Sequence, residues 1–281
     1  MPLSAAPAEA VADIVNMAIV ERDKPDAATL LSYGVSLSNS TNLYRLTFAN
    51  KRAHGNAGRL FKMRIDNGLQ NGFSGLISAF GLKVNGIDAE RLQLAAGRFG
   101  EWTTDDGGRG IKFTLNFDGA WVDIRFWMRP DSPVLFGEVA PSEGARQLSA
   151  ITNAVVRITS IPSFLECGKG RKTRFFGYAR QVRTAARLLE LPPNRTEPIV
   201  PGDGFFIMQD ADYDGSDDSK GMGPSATWPL TPGGGRITLN DSWTTAVEYR
   251  PDLLHPFRFA LLEFKSRRLS NEDIFSLVRS Q

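Results

Sequence analysis

The chain has 281 residues, 42% of them hydrophobic and 23% charged, and its 33 basic and 31 acidic side chains leave a net charge of +2. This balance excludes a disordered polymer and gives no support to a nucleic-acid partner, so charge arguments must rest on local clusters. One cysteine, Cys167, excludes an intrachain disulfide.

Residues 1–30 lack both the basic start of a signal peptide and a continuous apolar span, and they are expected to form an N-terminal extension, in part helical. Within them "AEAVADIVNMAIV" has apolar spacing that fits a helix or a helix running into a strand. Localisation stays open between a soluble cytoplasmic protein and an exported one whose signal has been removed. From residue 42 the pattern changes to short β-branched and aromatic runs separated by turn residues. In "NLYRLTFAN" the core face carries Tyr44, Leu46 and Phe48; "GRLFKMRIDNG" repeats this with Phe61, Met63 and Ile65. Further strands are expected at 76–84, 110–117, 120–128, 134–139, 154–161, 204–208, 236–239, 244–249 and 257–264. The clearest pair is a hairpin in which Phe113, Leu115 and Phe117 lead into a tight Asp118-Gly119 turn and the run Trp121 to Trp127.

Helix signals are few. "YARQVRTAARLLELPP" places Val182, Ala185, Ala186 and Leu189 at helical spacing ahead of Pro192-Pro193, and "SNEDIFSLVR" offers Ser270 as an N-cap followed by early acids. No repeat and no domain-separating linker is visible. The expected fold is a single all-β domain over 1–281, an antiparallel β-sandwich or supersandwich with one or two short helices.

Two clusters could carry chemistry. In "QDADYDGSDDSKGMGP", Asp210, Asp212, Asp214 and Gly215 match the opening of a calcium loop, and Asp217 or Asp218 would close the shell. Gly221 stands where an EF-hand needs a bidentate glutamate, so the expectation is Ca²⁺ at a strand-end loop, with a solvated turn as the alternative. Asp210, ending an apolar strand, is also the best candidate for a catalytic carboxylate. The basic stretch "CGKGRKTRFFGYARQVRTAAR" offers Lys172, Arg174 and Arg180 to an anionic ligand, with aromatic rings interleaved. Tyr213 and Trp228 are candidate faces for a sugar ring. The two histidines, His54 and His255, and Tyr178 complete the candidates for proton transfer, although His255 precedes Pro256 and also fits a structural role.

The hairpin, the Arg129-Pro130-Asp131-Ser132-Pro133 break and "GDGFFIMQDADYDG" together resemble the galactose-mutarotase-like β-supersandwich, a superfamily of sugar epimerases, polysaccharide lyase domains and related carbohydrate-active domains. The resemblance implies a carbohydrate ligand. Its mutarotases carry T-N-H-x-Y-F, whereas "STNLYRL" has Leu43 in the histidine position, so no catalytic residue carries over. The expected function is action on an acidic sugar or polysaccharide by lyase- or epimerase-type proton transfer, an enzyme of the lyase or isomerase class. The alternatives are a non-catalytic carbohydrate-binding or interaction protein and a lipocalin-like barrel around an apolar small molecule. No organic cofactor, membrane span or nucleic acid is expected; oligomeric state is left open.

Overall fold

Apolar residues at every second position become paired strands almost throughout the described chain. The computed structural model describes residues 15–21, 32–52, 59–67, 77–92, 98–160, 164–165, 174–175, 180–210, 225–239, 245–264 and 269–281. In chain order the strands are β1 Asn16–Glu21, β2 Ser32–Ser38, β3 Leu43–Arg52, β4 Arg59–Asn67, β5 Ile77–Val84, β6 Ile87–Asp88 and β7 Phe99–Thr103. There follow β8 Arg109–Phe117, β9 Ala120–Met128, β10 Leu135–Pro141, β11 Ala154–Ser160, β12 Phe164–Leu165, β13 Arg174–Phe175 and β14 Arg180–Arg183. The last are β15 Leu188–Leu191, β16 Thr196–Pro198, β17 Phe206–Asp210, β18 Ser225–Pro229, β19 Gly234–Leu239, β20 Thr245–Arg250 and β21 Phe257–Glu263, with one helix, α1, at Asn271–Arg279.

They form two large antiparallel sheets. A ten-stranded sheet runs β1-β2-β3-β4-β5-β11-β20-β19-β16 with β6 beside β5, and a nine-stranded sheet runs β15-β14-β17-β18-β21-β10-β9-β8-β7; β12 and β13 pair separately. The inner faces of the two large sheets share one core. Leu46, Met63, Val156, Ile158 and Val247 from the first meet Phe113, Leu115, Ile124, Met208 and Leu261 from the second, all but shielded from solvent. Phe80 joins the layers: its ring meets Phe126 edge-on at 5.1 Å and stacks on Phe259 at 6.1 Å. The "STNLY" segment ties the sheets by hydrogen bonds instead. Asn42 Nδ2 donates to the carbonyls of Pro133 (3.1 Å) and Glu263 (3.0 Å), and the Tyr44 hydroxyl donates to Pro133 (2.9 Å) and accepts from the Glu263 amide (3.1 Å).

The expected all-β sandwich is therefore the observed fold, and the hairpin turns where expected: Phe117 pairs with Ala120 across Asp118 (φ 53°) and Gly119 (φ 88°). The lipocalin-like barrel is not formed, because both large sheets are open, with distinct edge strands, and side chains fill the space between them. A second correction concerns "YARQVRTAARLLELPP", which over 180–191 is a hairpin, not a helix. Val182 and Leu189 are cross-strand partners and Ala185-Ala186 lie in the turn, so a hairpin mimics the i, i+3, i+4, i+7 spacing. Two things decide for the strand. Val182 is buried opposite Met208 of β17, and the Thr184 hydroxyl closes the turn by accepting from the Ala186 and Arg187 amides. Over 16–21 the ambiguous N-terminal run is a strand paired with β2.

Helix α1 forms where Ser270 suggested. Ser270 and Asp273 make a reciprocal capping box, and those bonds hold the Asp273 carboxyl below its ordinary range. Ile274 and Val278 lay one face of α1 on Phe205, Ile207, Ala226, Leu262 and Phe264, covering part of the outer side of the nine-stranded sheet. Among the described residues no helix is long and apolar enough to cross a membrane, which says nothing of strands.

Candidate functional site

Strand register, not sequence proximity, assembles the candidate site. On the outward face of the ten-stranded sheet, Gly81 of β5 stands opposite Arg157 of β11, Arg157 opposite Glu248 of β20, and Glu248 opposite Arg236 of β19. One row along, Lys83 faces Val155, and Gly234 faces Arg250. Period two puts these rows about 6.7 Å apart along each strand, with about 4.8 Å between neighbouring strands. The 3-10 turn Ala89–Arg91 after β6 adds Glu90 and Arg91 as a wall, and Asp88 lies beside it. Except for Gly234, which lies beyond its rim, these residues line an open cleft of about 880 Å³.

The cleft is lined by five cations (Lys83, Arg91, Arg157, Arg236, Arg250) and three carboxylates (Asp88, Glu90, Glu248), a local excess of positive charge in a chain that is almost neutral. Glu248 is the most enclosed of them, its side chain only 7% exposed. Arg236 Nε donates to Glu248 Oε2 at 2.5 Å, whereas Arg157 Nε lies 3.8 Å from Oε1, too far for a hydrogen bond. The Arg157 Nε is buried and has no hydrogen-bond partner. Glu248 thus anchors Arg236 firmly and Arg157 only by charge. With its side chain 37% exposed, Arg157 presents the outer part of its guanidinium, not the buried Nε, to an oxyanion from outside. Lys83 and Asp88 form an exposed pair at 3.9 Å that contributes little.

The opposite outer face, on the nine-stranded sheet, also carries charges that pair with one another, although the Arg125 Nε is buried without a hydrogen-bond partner. Lys112 pairs with Asp123 at 2.6 Å; Glu138 takes Arg125 on one oxygen and Arg258 on the other, the latter at 2.7 Å. Beside this ladder Trp102 meets Trp127 edge-on at 5.0 Å and Trp127 stacks on Phe136 at 5.6 Å. The Arg129 guanidinium covers Phe136 at 4.6 Å. These rings cover each other and form a satellite core.

Of the residues singled out in the sequence, few fall where their surroundings are described. Arg180 and Asp210 are brought together: they face each other in the β14–β17 ladder, though their side chains lie outside the described residues. Trp228 sits half-buried on β18, packed against both satellite clusters on the nine-stranded sheet. His255 is exposed in the loop between β20 and β21 and is not among the residues lining the cleft. Arg174 lies on β13 opposite Leu165. His54, Lys172, Tyr178, Asp212, Tyr213, Asp214, Asp217 and Asp218 lie outside the described residues, and with them the acidic loop beyond Asp210. Among the described residues no group of three or more His, Cys, Asp or Glu side chains is placed to hold a metal.

The residues that do meet were not singled out in advance. Lys83, Arg157, Arg236, Glu248 and Arg250 are charges inside strands, as in "VVRITS" or "AVEYR", Asp88, Glu90 and Arg91 lie at or after the end of β6, and the lining spans residues 81–250. The available signal was a charged residue at an outward position of an otherwise apolar strand.

No protein-family model matches the chain, and no curated protein does. Solved structures similar to it include an α-N-acetylgalactosaminidase from Bifidobacterium bifidum, 11% identical over 95% of this chain and 37% of that one, with a TM-score of 0.48. Another is an α-galactosidase from Lactobacillus brevis, 10% identical over 94% of this chain and 41% of that one, with a TM-score of 0.41. The chain spans about two fifths of the length of each, and at this level of similarity no property of those enzymes is transferred to it.

Proposed function

We infer that this chain binds an acidic carbohydrate in the cleft on the ten-stranded sheet. The observation that carries the reading is the row Arg157–Glu248–Arg236, in which one carboxylate is shared unequally, so that Arg157, its side chain 37% exposed on the cleft floor, is held by Glu248 through charge alone. A planar guanidinium recognises a carboxylate or sulfate bidentately. The three acids and the remaining cations supply acceptors and donors for sugar hydroxyls, whereas a purely basic patch would suit a phosphate backbone better. Among the described residues no aromatic side chain lines the cleft, which gives no support to stacked nucleobases.

We propose binding and leave proton transfer as a separate proposal: His255, whose surroundings are described, does not line the cleft, while His54, Tyr178 and the Asp210 side chain lie outside the described residues. The catalytic version predicts an unsaturated product, detectable by its absorbance, from a uronate polymer. Calcium at the acidic loop remains a separate proposal: millimolar Ca²⁺ against EDTA should raise the melting temperature if the loop binds the ion only in the folded state, and an unchanged temperature removes it. The test of the main reading is calorimetric titration with acidic oligosaccharides and their neutral counterparts. Acidic ligands should bind and neutral ones should not; equal binding of both would contradict the assignment.

A further inference from the structure

Arg157 and Arg250 each stand directly across from a glycine. Arg157 pairs with Gly81 and Arg250 pairs with Gly234. A Cβ placed on Gly81 would meet the Arg157 Cβ at 3.4 Å, its carbonyl oxygen at 3.8 Å and its Cδ at 4.0 Å, the arginine stem lying along the glycine, and one on Gly234 would meet nothing within 4 Å. Directly opposed side chains in an antiparallel pair normally cover one another. Here each guanidinium stem has one flank uncovered, which creates two bays, each built from one arginine and one glycine.

The bays are related by the register. β11 and β20 are neighbours, and the pairing of Val156 with Tyr249 sets Val155 opposite Arg250 while Arg157 is opposite Glu248. The two arginines are therefore one strand and two residues apart, about 8 Å between Cα atoms. Between them lie Val155, which is uncharged, and Glu248, which is already bonded to Arg236. Their glycines lie on the outer flanks, Gly81 on β5 and Gly234 on β19, so the bays open in opposite directions across a four-strand patch.

The geometry points to a ligand with two anionic groups, an oligomer of acidic sugars running across the strands with one anion in each arginine–glycine bay. This rests on the reading of the cleft as an acidic-sugar site. A monosaccharide fills one bay at a time; joining two acidic units makes the second contact intramolecular, which raises affinity without a new kind of contact.

The experiment is calorimetric titration of the wild type, Arg250→Ala and Gly81→Val with the monomers and trimers of galacturonate and mannuronate. Valine suits a strand and keeps every charge of the cleft while filling the bay beside Arg157. In the wild type the trimer of at least one series should bind about tenfold tighter than its monomer, with one trimer per chain against two monomers. Either substitution should reduce the monomer to one site and the trimer to monomer-like affinity. With two independent variants, misfolding of one, seen in its melting curve, leaves the other as the test. If acidic sugars bind but the trimer gains nothing over the monomer, or neither variant weakens the trimer, the two-bay inference is overturned and the acidic-sugar reading stands. If no acidic sugar binds the wild type, that reading falls and the inference with it.

Discussion

Arg157 shows how one side chain acquires a role from its neighbours' commitments. Glu248 accepts a hydrogen bond from Arg236 and holds Arg157 only by proximity, so truncating the two arginines should have different consequences. Arg157→Ala should lower affinity for an acidic oligosaccharide at least about tenfold, the value of one charge-assisted hydrogen bond, and leave the melting temperature nearly unchanged. Lysine at 157 should restore little, lacking the planar fork. Asp203 illustrates the opposite case, a carboxylate wholly committed to structure. It is fully buried and accepts from Arg187 Nε and Nη2 and from the Val200 amide, each at 2.9 Å. Burial alone would raise its pKa, but the Arg187 and Val200 bonds outweigh burial and hold the carboxyl below its ordinary range. A carboxyl depressed in the folded state stabilises fully above its unfolded value, about 3.8, and that stabilisation is lost as pH falls through the lower folded value. Asp203→Asn should therefore cost about 3 kcal/mol in urea unfolding at neutral pH, and the gap to the wild type should narrow only below pH 3.8. A gap of constant size down to about pH 3 would count against this account. Neither residue was legible in advance. Arg157 looks like any outward strand charge, and the partner of Asp203 lies on the far side of a turn that was read as helix.

At the scale of elements, the strands with strict alternation and a recognisable turn were legible, because their pattern and their tertiary surroundings agree. The β8–β9 hairpin is the best example. Asp118 and Gly119 both adopt positive φ, as a two-residue turn between twisted strands requires. Gly119→Ala should cost about 1–2 kcal/mol from that conformation alone. The cost is increased by a new Cβ 2.9 Å from Ser149 Oγ and 3.0 Å from Leu148 Cβ. Thermal unfolding checks this, and a stability equal to the wild type would mean that the turn relaxes. Residues 180–191 mark the limit of such reading. An apolar spacing of three, four and seven residues belongs to a helix face or to a short hairpin with its turn in the middle, and the burial of Val182 against β17 and the Thr184-closed turn decide between them. The cap of α1 was legible because Ser270 and Asp273 are local; removing it with Ser270→Ala should speed amide exchange at 271–274 and leave the sheets unaffected.

For the molecule as a whole, a sandwich leaves two outer faces, and this chain treats them differently. The nine-stranded sheet is partly covered by α1 and elsewhere closes its charges and rings upon themselves. The ten-stranded sheet keeps an open cleft whose cations exceed its acids. Fold class could be read from alternation alone, since an antiparallel sandwich repeats one pattern many times. The site could not, because its residues meet only through the order β5-β11-β20-β19, which joins residues as far apart in sequence as Gly81 and Glu248. The expected acidic and basic clusters drew attention because they are contiguous; the cleft is contiguous only in space. The most direct test of the central claim is a crystal structure of the protein with a bound acidic trisaccharide. The account predicts its carboxylates against Arg157 and Arg250 on the ten-stranded sheet; a trisaccharide seated instead along Trp102 and Trp228 on the nine-stranded sheet would contradict it.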